Sequence, residues 1–554
     1  MHPPWDSAIA GTCRSELEVR AYGSRLLGSD ADLVLYGGGN TSFKGTWSTG
    51  AGPTVPCLFV KGTGADLSQV SADDFTPIAL EPARALLDRL DLDNAALMAA
   101  LEPLKLCRNA PRPSIETLLH AAIPHRYVEH THADSILAIA NTRSGRTLCA
   151  EVFGALAPAV PFHHSGFALA KACAATYAEH ATPATIGLVL EFHGAVAFGD
   201  DARTSYENML RLVDRAERYL RSRSAWTLPE RLPPPLSCAQ ALEIAGLRQQ
   251  LSDAAGFPVV LCVDRSPTTM AFVAREDLAE LALQGPPTPQ HAVFTKRLPM
   301  IGRDVPGYVT AYRRYLASSG AATFDPSLLP DPSPRIVLDP VWGLVSASVD
   351  ARHAAMALEV YLHDIAIISR AAMHDRYVSL PPAEILMAEV HYGGFERGLR
   401  ARVSRDLPLL GLVVLLGAQE AAAAELAPVL LEAGAAVVAV GDNPGSPSSQ
   451  VPHALKCWRP LDACSPTDDE LSDLIAAFGG IDVALLSPGH AGLAERLAPV
   501  LERSPVGGTP LWLETGGLRT TGRHPGARAV PSGPDAVLAT LRDIVEGFPG
   551  ARAS

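Results

Sequence analysis

The sequence predicts an α/β protein of three consecutive domains. Short apolar runs bounded by glycines alternate with helical patterns along the first 226 residues, two polar breaks interrupt the chain, and the last third opens on a strand–helix–strand unit. At 554 residues the chain exceeds one hydrophobic core, since cores stop growing at about 250 to 300 residues. One break is TLPERLPPPLS (227–237), whose prolines cannot continue a helix; the other is the charged run RARVSRDLP (400–408) ahead of LLGLVVLLG. Domains are therefore expected over 1–226, 238–400 and 408–554.

In the first segment, ADLVLYGGGNTSFKG (31–45) reads as a strand, a glycine-rich turn and a second strand, and VPCLFVKGTG (55–64) as a strand ending in glycines. SIETLLHAA (114–122) has helical spacing, and YVEHTHADSILAIAN (127–141) is a short strand running into a helix. TIGLVLEFHGAVAFG (185–199) looks like a hairpin pivoting at His193 and Gly194, and 202–223 is a long amphipathic helix that closes the domain.

Composition narrows the function. Apolar residues at 47%, charged residues at 19% and a mean hydropathy of +0.13 describe an ordinary folded protein. A net charge of −13 with no long Lys/Arg run argues against a nucleic-acid partner. Nothing at the start has a basic stretch followed by an apolar one, and no apolar run reaches the ~20 residues of a membrane helix, so a cytoplasmic protein with a small-molecule partner is expected. The nine cysteines are scattered without a CxxC pair and are expected to be reduced and mostly core-filling.

His130 and His132 stand two apart on a strand, so both face one side. A third imidazole, His193, ends the strand GLVLEF before a glycine. Three neutral imidazoles suit Zn²⁺ and leave a fourth position for water or substrate. Taken alone, an H-x-H pair is more often a satisfied or exposed one.

The ordered set GGGNTS (37–42), KGTG (61–64), PSIETLLHA (113–121), HTHAD (130–134) and EFHGAVAFG (191–199) resembles the class II aldolase/adducin family, whose enzymes convert fuculose, rhamnulose and ribulose phosphates. FTKRLPMIGRD (294–304) and PRIVLDPVWGLVSA (334–347) resemble the middle region of fused rhamnulose-phosphate aldolase/short-chain dehydrogenase proteins. The resemblance implies a three-layer aldolase domain, with His130, His132 and His193 holding Zn²⁺ or another divalent ion and Glu116 as acid/base. It further implies a phosphate at Asn40, Thr41, Thr63, Gly64 and Ser114, although Ile115 stands where the monofunctional fuculose-phosphate type has a second serine. Family enzymes use a tyrosine, often a neighbouring subunit's, to protonate the aldehyde oxygen; Tyr127 and Tyr206 are candidates by location. A homo-oligomer, as a tetramer with sites between subunits, follows from the family alone.

The expected function is a zinc-dependent aldolase that makes or cleaves a C–C bond next to a ketone through a metal-stabilised ene-diolate, acting on a ketose or ketose phosphate. Epimerisation of a pentulose phosphate and decarboxylation of a 3-keto acid share every motif, and an adducin-like scaffold is the non-catalytic alternative. His120 is expected in the core or behind Glu116, and His163 and His164 on a loop lining the site. Lys296, Arg297 and Arg303 are expected as solvated surface charges.

Residues 411–442 outline a dinucleotide-binding βαβ unit ending at Asp442, and GGIDVALLSPG (479–489) resembles the fourth strand of a short-chain dehydrogenase. Only Gly417 of the three first-turn glycines is kept, with Ala421 and Ala423 at the others. No tyrosine follows Tyr392, so the family's Tyr-x-x-x-Lys pair is absent. A degenerate Rossmann-like domain without redox activity is expected, and NAD is not expected as a cofactor.

Overall fold

The computed structural model describes residues 2–48, 54–392, 397–398, 406–418, 420–440, 454–458, 467–487, 490–514, 528–531 and 534–546. It forms two compact units, one of Met1–Leu228 with Ala366–Ser379, the other of Pro229–Ile365 with Leu380–Ser554. Among the described residues three sheets lie within 40–199, 260–348 and 413–531, each with helices between its strands, an α/β architecture.

The first unit is built on seven strands: β1 (Asn40–Trp47), β2 (Val55–Lys61), β3 (Phe75–Ala79), β4 (Tyr127–Thr131), β5 (Ala159–Val160), β6 (Gly187–Leu190) and β7 (Gly194–Gly199). Their order is β3-β2-β1-β4-β7-β6-β5, antiparallel except for β5 beside β6. Strand alternation sorts the core into two faces. Val128, Val196 and Phe198 pack with Leu118, Leu119, Phe167 and Cys173 of helices Thr117–Ala122 and Phe167–His180. Ala195 and Ala197 pack the opposite way, against Ile136, Met209 and Leu212 of helices Asp134–Ala140 and Ala202–Ser222. The unit is thus a three-layer sandwich. Residues 366–379 join it by hydrogen bonds of Arg143 N–H to the Arg376 carbonyl and Val378 N–H to the Asn141 carbonyl.

One predicted strand is absent. In ADLVLY (31–36) Leu33, Val34 and Leu35 are buried, but the segment forms turns, with the Leu33 and Val34 N–H groups on the Asp30 carbonyl. Positive φ at Tyr36 (30°), Gly37 (70°) and Gly39 (59°) breaks the extended conformation before a ladder can form. The segment nevertheless anchors the chain beyond β4, since the carbonyls of Asp32 and Leu33 accept from the N–H groups of Asp134 and His132, both at 2.9 Å.

In the second unit, β8 (Val260–Asp264), β9 (Met300–Ile301), β10 (Ile336–Asp339) and β11 (Gly343–Ser348) form a sheet ordered β8-β11-β10-β9. The other sheet holds β12 (Val413–Gly417), β13 (Ala436–Val440), β14 (Leu455–Trp458), β15 (Val483–Leu486), β16 (Thr509–Glu514) and β17 (Arg528–Pro531). All its pairs are parallel and its order is β14-β13-β12-β15-β16-β17. Counted along the chain that is 3-2-1-4-5-6, the doubly wound order of dinucleotide-binding folds. One hydrophobic core runs through both parts, from Ala241, Leu251 and Val345 to Val413, Ile475 and Leu497. Inside it Arg248 forks Asp482 at 2.9 and 2.7 Å, and Asp482 also accepts from the Val413 N–H and the Ser504 hydroxyl, both at 2.7 Å.

Lys296 is not the surface charge expected: it is buried, and its ammonium donates to the carbonyls of Asp331 (2.6 Å) and Ser333 (2.8 Å). Arg297 donates to the Leu283 carbonyl at 3.1 Å, and Arg303 forks Asp339 at 2.8 and 3.2 Å while lying 3.7 Å over Trp342. Sequence alone does not reveal such partners, because they lie 14 to 39 residues away. Asp442 and residues 399–405 lie outside the described residues. Among the described residues no helix is long and apolar enough to cross a membrane.

Candidate active site

Register brings the site together. Asn40 of β1 pairs with His130 of β4, so their side chains share the face that helix Thr117–Ala122 covers, while Thr41 and Glu129 share the other. His132 stands one residue beyond β4, held by its N–H on Leu33. His193 lies in the tight turn from β6 to β7, its N–H on the Leu190 carbonyl at 3.1 Å. The turn needs Phe192 at φ 56° and Gly194 at φ 151°, and a Cβ on Gly194 would meet the Thr131 carbonyl oxygen at 2.1 Å. Only glycine lets β7 approach β4 there.

The three imidazole rings stand 4.8, 4.9 and 5.0 Å apart, and one ligand atom from each lies within 4.8 Å of the others. The Nε2 atoms of His130 and His132 are 3.1 Å apart. Two ligands each about 2.0–2.1 Å from one tetrahedral ion would stand about 3.3 Å apart. His130 Nδ1 donates to the Ala195 carbonyl at 3.0 Å, which fixes the tautomer with its lone pair on Nε2. Burial lowers the pKa of His130 and favours the neutral, ligating form. This donor set fits a divalent ion that takes nitrogen ligands.

Glu116 stands just before helix Thr117–Ala122, and its side chain reaches the same point. Its Oε1 lies 3.2 Å from His193 Nε2 and its Oε2 lies 3.6 Å from His130 Nε2. Oε2 accepts from Asn40 Nδ2 at 2.5 Å, and Oε1 from the Ser165 hydroxyl at 3.0 Å. Burial opposes its ionisation, but the imidazoles of His130, His193 and His132 outweigh it and hold the carboxyl well below its ordinary range.

The residues expected around a phosphate divide. Gly64 (φ 87°) and Thr63 are exposed on the turn after β2; Gly64 has open space beside it, while the Thr63 hydroxyl donates to the Pro113 carbonyl at 2.9 Å. Ser114 accepts from the Glu116 N–H at 3.2 Å and from Asn40 Nδ2 at 3.4 Å, so Asn40 turns its amide to Glu116 and not outward. Thr41 is a correction: its hydroxyl bonds Ser24 at 2.7 Å on the far face of β1. There it joins Arg20, Glu129 and Ser205, a buried group that braces β4 from behind. Tyr127 and Tyr206 are corrections too, since both are buried with hydroxyls committed to Glu16 and the Pro3 carbonyl.

Three contributors carried no sequence signal strong enough to be chosen. Ser165 reaches Glu116 from the VPFHHSG loop, beside the chemically more conspicuous His163 and His164. Lys61 is buried, and its ammonium donates to the Ala65 carbonyl at 2.6 Å and the Gly37 carbonyl at 3.5 Å, tying the two glycine turns together. Burial pulls its pKa down to about 8, against the attraction of Asp66, Glu116 and Asp74. His120 is buried, with Nδ1 2.7 Å from the Ser42 hydroxyl and Nε2 on Asn40 Oδ1.

Two family models match the chain: the class II aldolase and adducin N-terminal domain over residues 18–220, and the aldolase class II second domain over 239–397. Among curated proteins, the uncharacterized oxidoreductase YuxG of Bacillus subtilis (strain 168) is 28% identical over 399 residues, which is 68% of this chain and 57% of that protein. The chain thus matches little more than half the length of that relative. Among solved structures, the N-terminal class II aldolase domain of a conserved protein from Thermoplasma acidophilum is 34% identical. It covers 40% of this chain and 99% of that one, with a TM-score of 0.37. L-fuculose-1-phosphate aldolase from Thermus thermophilus is 18% identical over 38% of this chain and 98% of that one, with a TM-score of 0.26.

Proposed function

Because the chain belongs to the class II aldolase and adducin family, we propose that it is a zinc-dependent aldolase. It makes or cleaves the C–C bond beside the ketone of a small, phosphorylated hydroxy-ketone sugar. The observation that carries this reading is the convergence of His130, His132 and His193 with the Glu116 carboxylate 3.2 Å from His193 Nε2. A zinc ion held there would supply a Lewis acid for the negative charge that develops on the substrate oxygens.

The chain's own residues do the rest. His130, His132 and His193 would hold the ion. Glu116 takes a proton from the nucleophilic carbon in one direction and returns it in the other, with Asn40 fixing its orientation and the Ser165 hydroxyl meeting its other oxygen. The backbone at Thr63 and Gly64, with Ser114 and the Lys61 ammonium behind them, provides the anion end. The side chains of Asn40 and Thr41 serve Glu116 and β1 instead.

The Rossmann-like part works in this reading as a packing partner for the middle segment, with which it shares its core, and uses no NAD. The protein acts in the cytoplasm as a homotetramer, which sedimentation at micromolar concentration would contradict by finding a monomer. Product analysis tests the reaction. Two fragments from a ketose phosphate support the aldolase; a single isomer or released CO₂ would replace it with an epimerase or a decarboxylase using the same site.

A further inference from the structure

We propose that His120 is a positioning residue which, acting through Asn40, commits Oε2 of Glu116 to an amide N–H and leaves Oε1 as the oxygen that exchanges a proton with substrate. The inference rests on Glu116 being the acid/base of the reading above.

Four buried side chains form one directed chain: Ser42, His120, Asn40 and Glu116. Its direction follows from donor chemistry. An ionised carboxylate only accepts, so Asn40 must present Nδ2 to Oε2, at 2.5 Å. That leaves Oδ1 toward His120 Nε2, which must therefore carry the ring's hydrogen. Burial holds the imidazole neutral, so Nδ1 has only a lone pair, and the Ser42 hydroxyl 2.7 Å away donates to it. Flipping the Asn40 amide would set its oxygen against the carboxylate and would require His120 to change tautomer and Ser42 to reverse. Three residues resist that flip together.

The fold supplies the parts without adjustment. Asn40 and Ser42 are two apart on β1 and face one side, so a single imidazole spans both. His120 is one helical turn after Glu116, with its N–H on the Glu116 carbonyl at 3.2 Å. The two carboxylate oxygens are therefore unequal. Oε2 is held by an amide that cannot turn away, whereas Oε1 meets the Ser165 hydroxyl, which rotates freely, and lies next to His193. The proton arriving from carbon goes to Oε1 while its electron pair stays on the substrate, and return is the reverse.

The test uses the zinc-loaded full chain with dihydroxyacetone phosphate in D₂O, following deuterium incorporation at carbon by NMR. His120→Leu is expected to slow exchange about 10- to 100-fold with zinc content and KM unchanged. His120→Gln, whose amide N–H falls near the place of Nε2, is expected to recover most of the rate. The double variant His120→Leu with Asn40→Ala is expected to be no slower than Asn40→Ala alone, because His120 acts only through Asn40. Losses that multiply, or zinc lost in His120→Leu, would overturn the proposal. Independently of turnover, ¹⁵N-histidine spectra compared with those of His120→Gln should show His120 as the Nε2–H tautomer, and an Nδ1–H tautomer would overturn the relay alone. Wild type that binds zinc and exchanges nothing would overturn the acid/base reading of Glu116, and with it this role of His120, whatever the tautomer.

Discussion

Glu116 gathers an amide from β1, a hydroxyl from the loop before Phe167 and the edges of two imidazoles around one carboxylate. Glu116→Gln keeps the shape and removes the charge; it is expected to retain zinc and to lose about 10²- to 10⁴-fold in turnover, measured side by side with metal content. Burial also sets a pH dependence. His120 and His130 are pushed below their ordinary 6.5, so they stay neutral in the native protein while the unfolded chain takes up protons below that pH. Their contribution to stability is present above 6.5 and is lost as pH falls from there toward the folded values. Denaturant unfolding at about pH 7 and about pH 5 should show that loss, and His120→Gln should reduce it. At this scale the sequence speaks clearly where spacing encodes geometry, as in His130 and His132. It is silent where one residue serves another, as with Asn40 and Ser165, since a lone amide or hydroxyl has no period.

The hairpin from β6 to β7 depends on one backbone position. Gly194→Ala is expected to push β7 off β4, because the new Cβ would meet Thr131 at 2.1 Å, and to displace His193. The loss should exceed about 1 kcal/mol in denaturant unfolding and should be accompanied by loss of zinc, whereas a variant that keeps both would show that the turn tolerates a side chain. The long helix Ala202–Ser222 is readable from its period, and this hairpin from two continuous apolar runs that turn at His193 and Gly194. ADLVLY is not, because a short buried apolar run looks like a strand whether its carbonyls meet a ladder or, as here, turns and the N–H groups of His132 and Asp134.

Across the second unit, the Arg248–Asp482 pair lies inside a core that the middle and C-terminal segments build jointly. Arg248→Met would leave a buried carboxylate without its cation, and is expected to cost about 3–5 kcal/mol, read by denaturant unfolding of the full chain. The strand–helix–strand start and the fourth strand of the C-terminal sheet are legible in the sequence, but the 3-2-1-4-5-6 order and the shared core are not, because both depend on pairings between distant segments.

The centre on which the functional reading depends is tested most directly by elemental analysis of the purified full chain beside His132→Ala. About one zinc per chain is expected in the wild type, and its loss in the variant. A wild-type protein that holds no metal and takes up none when zinc is added would contradict that reading.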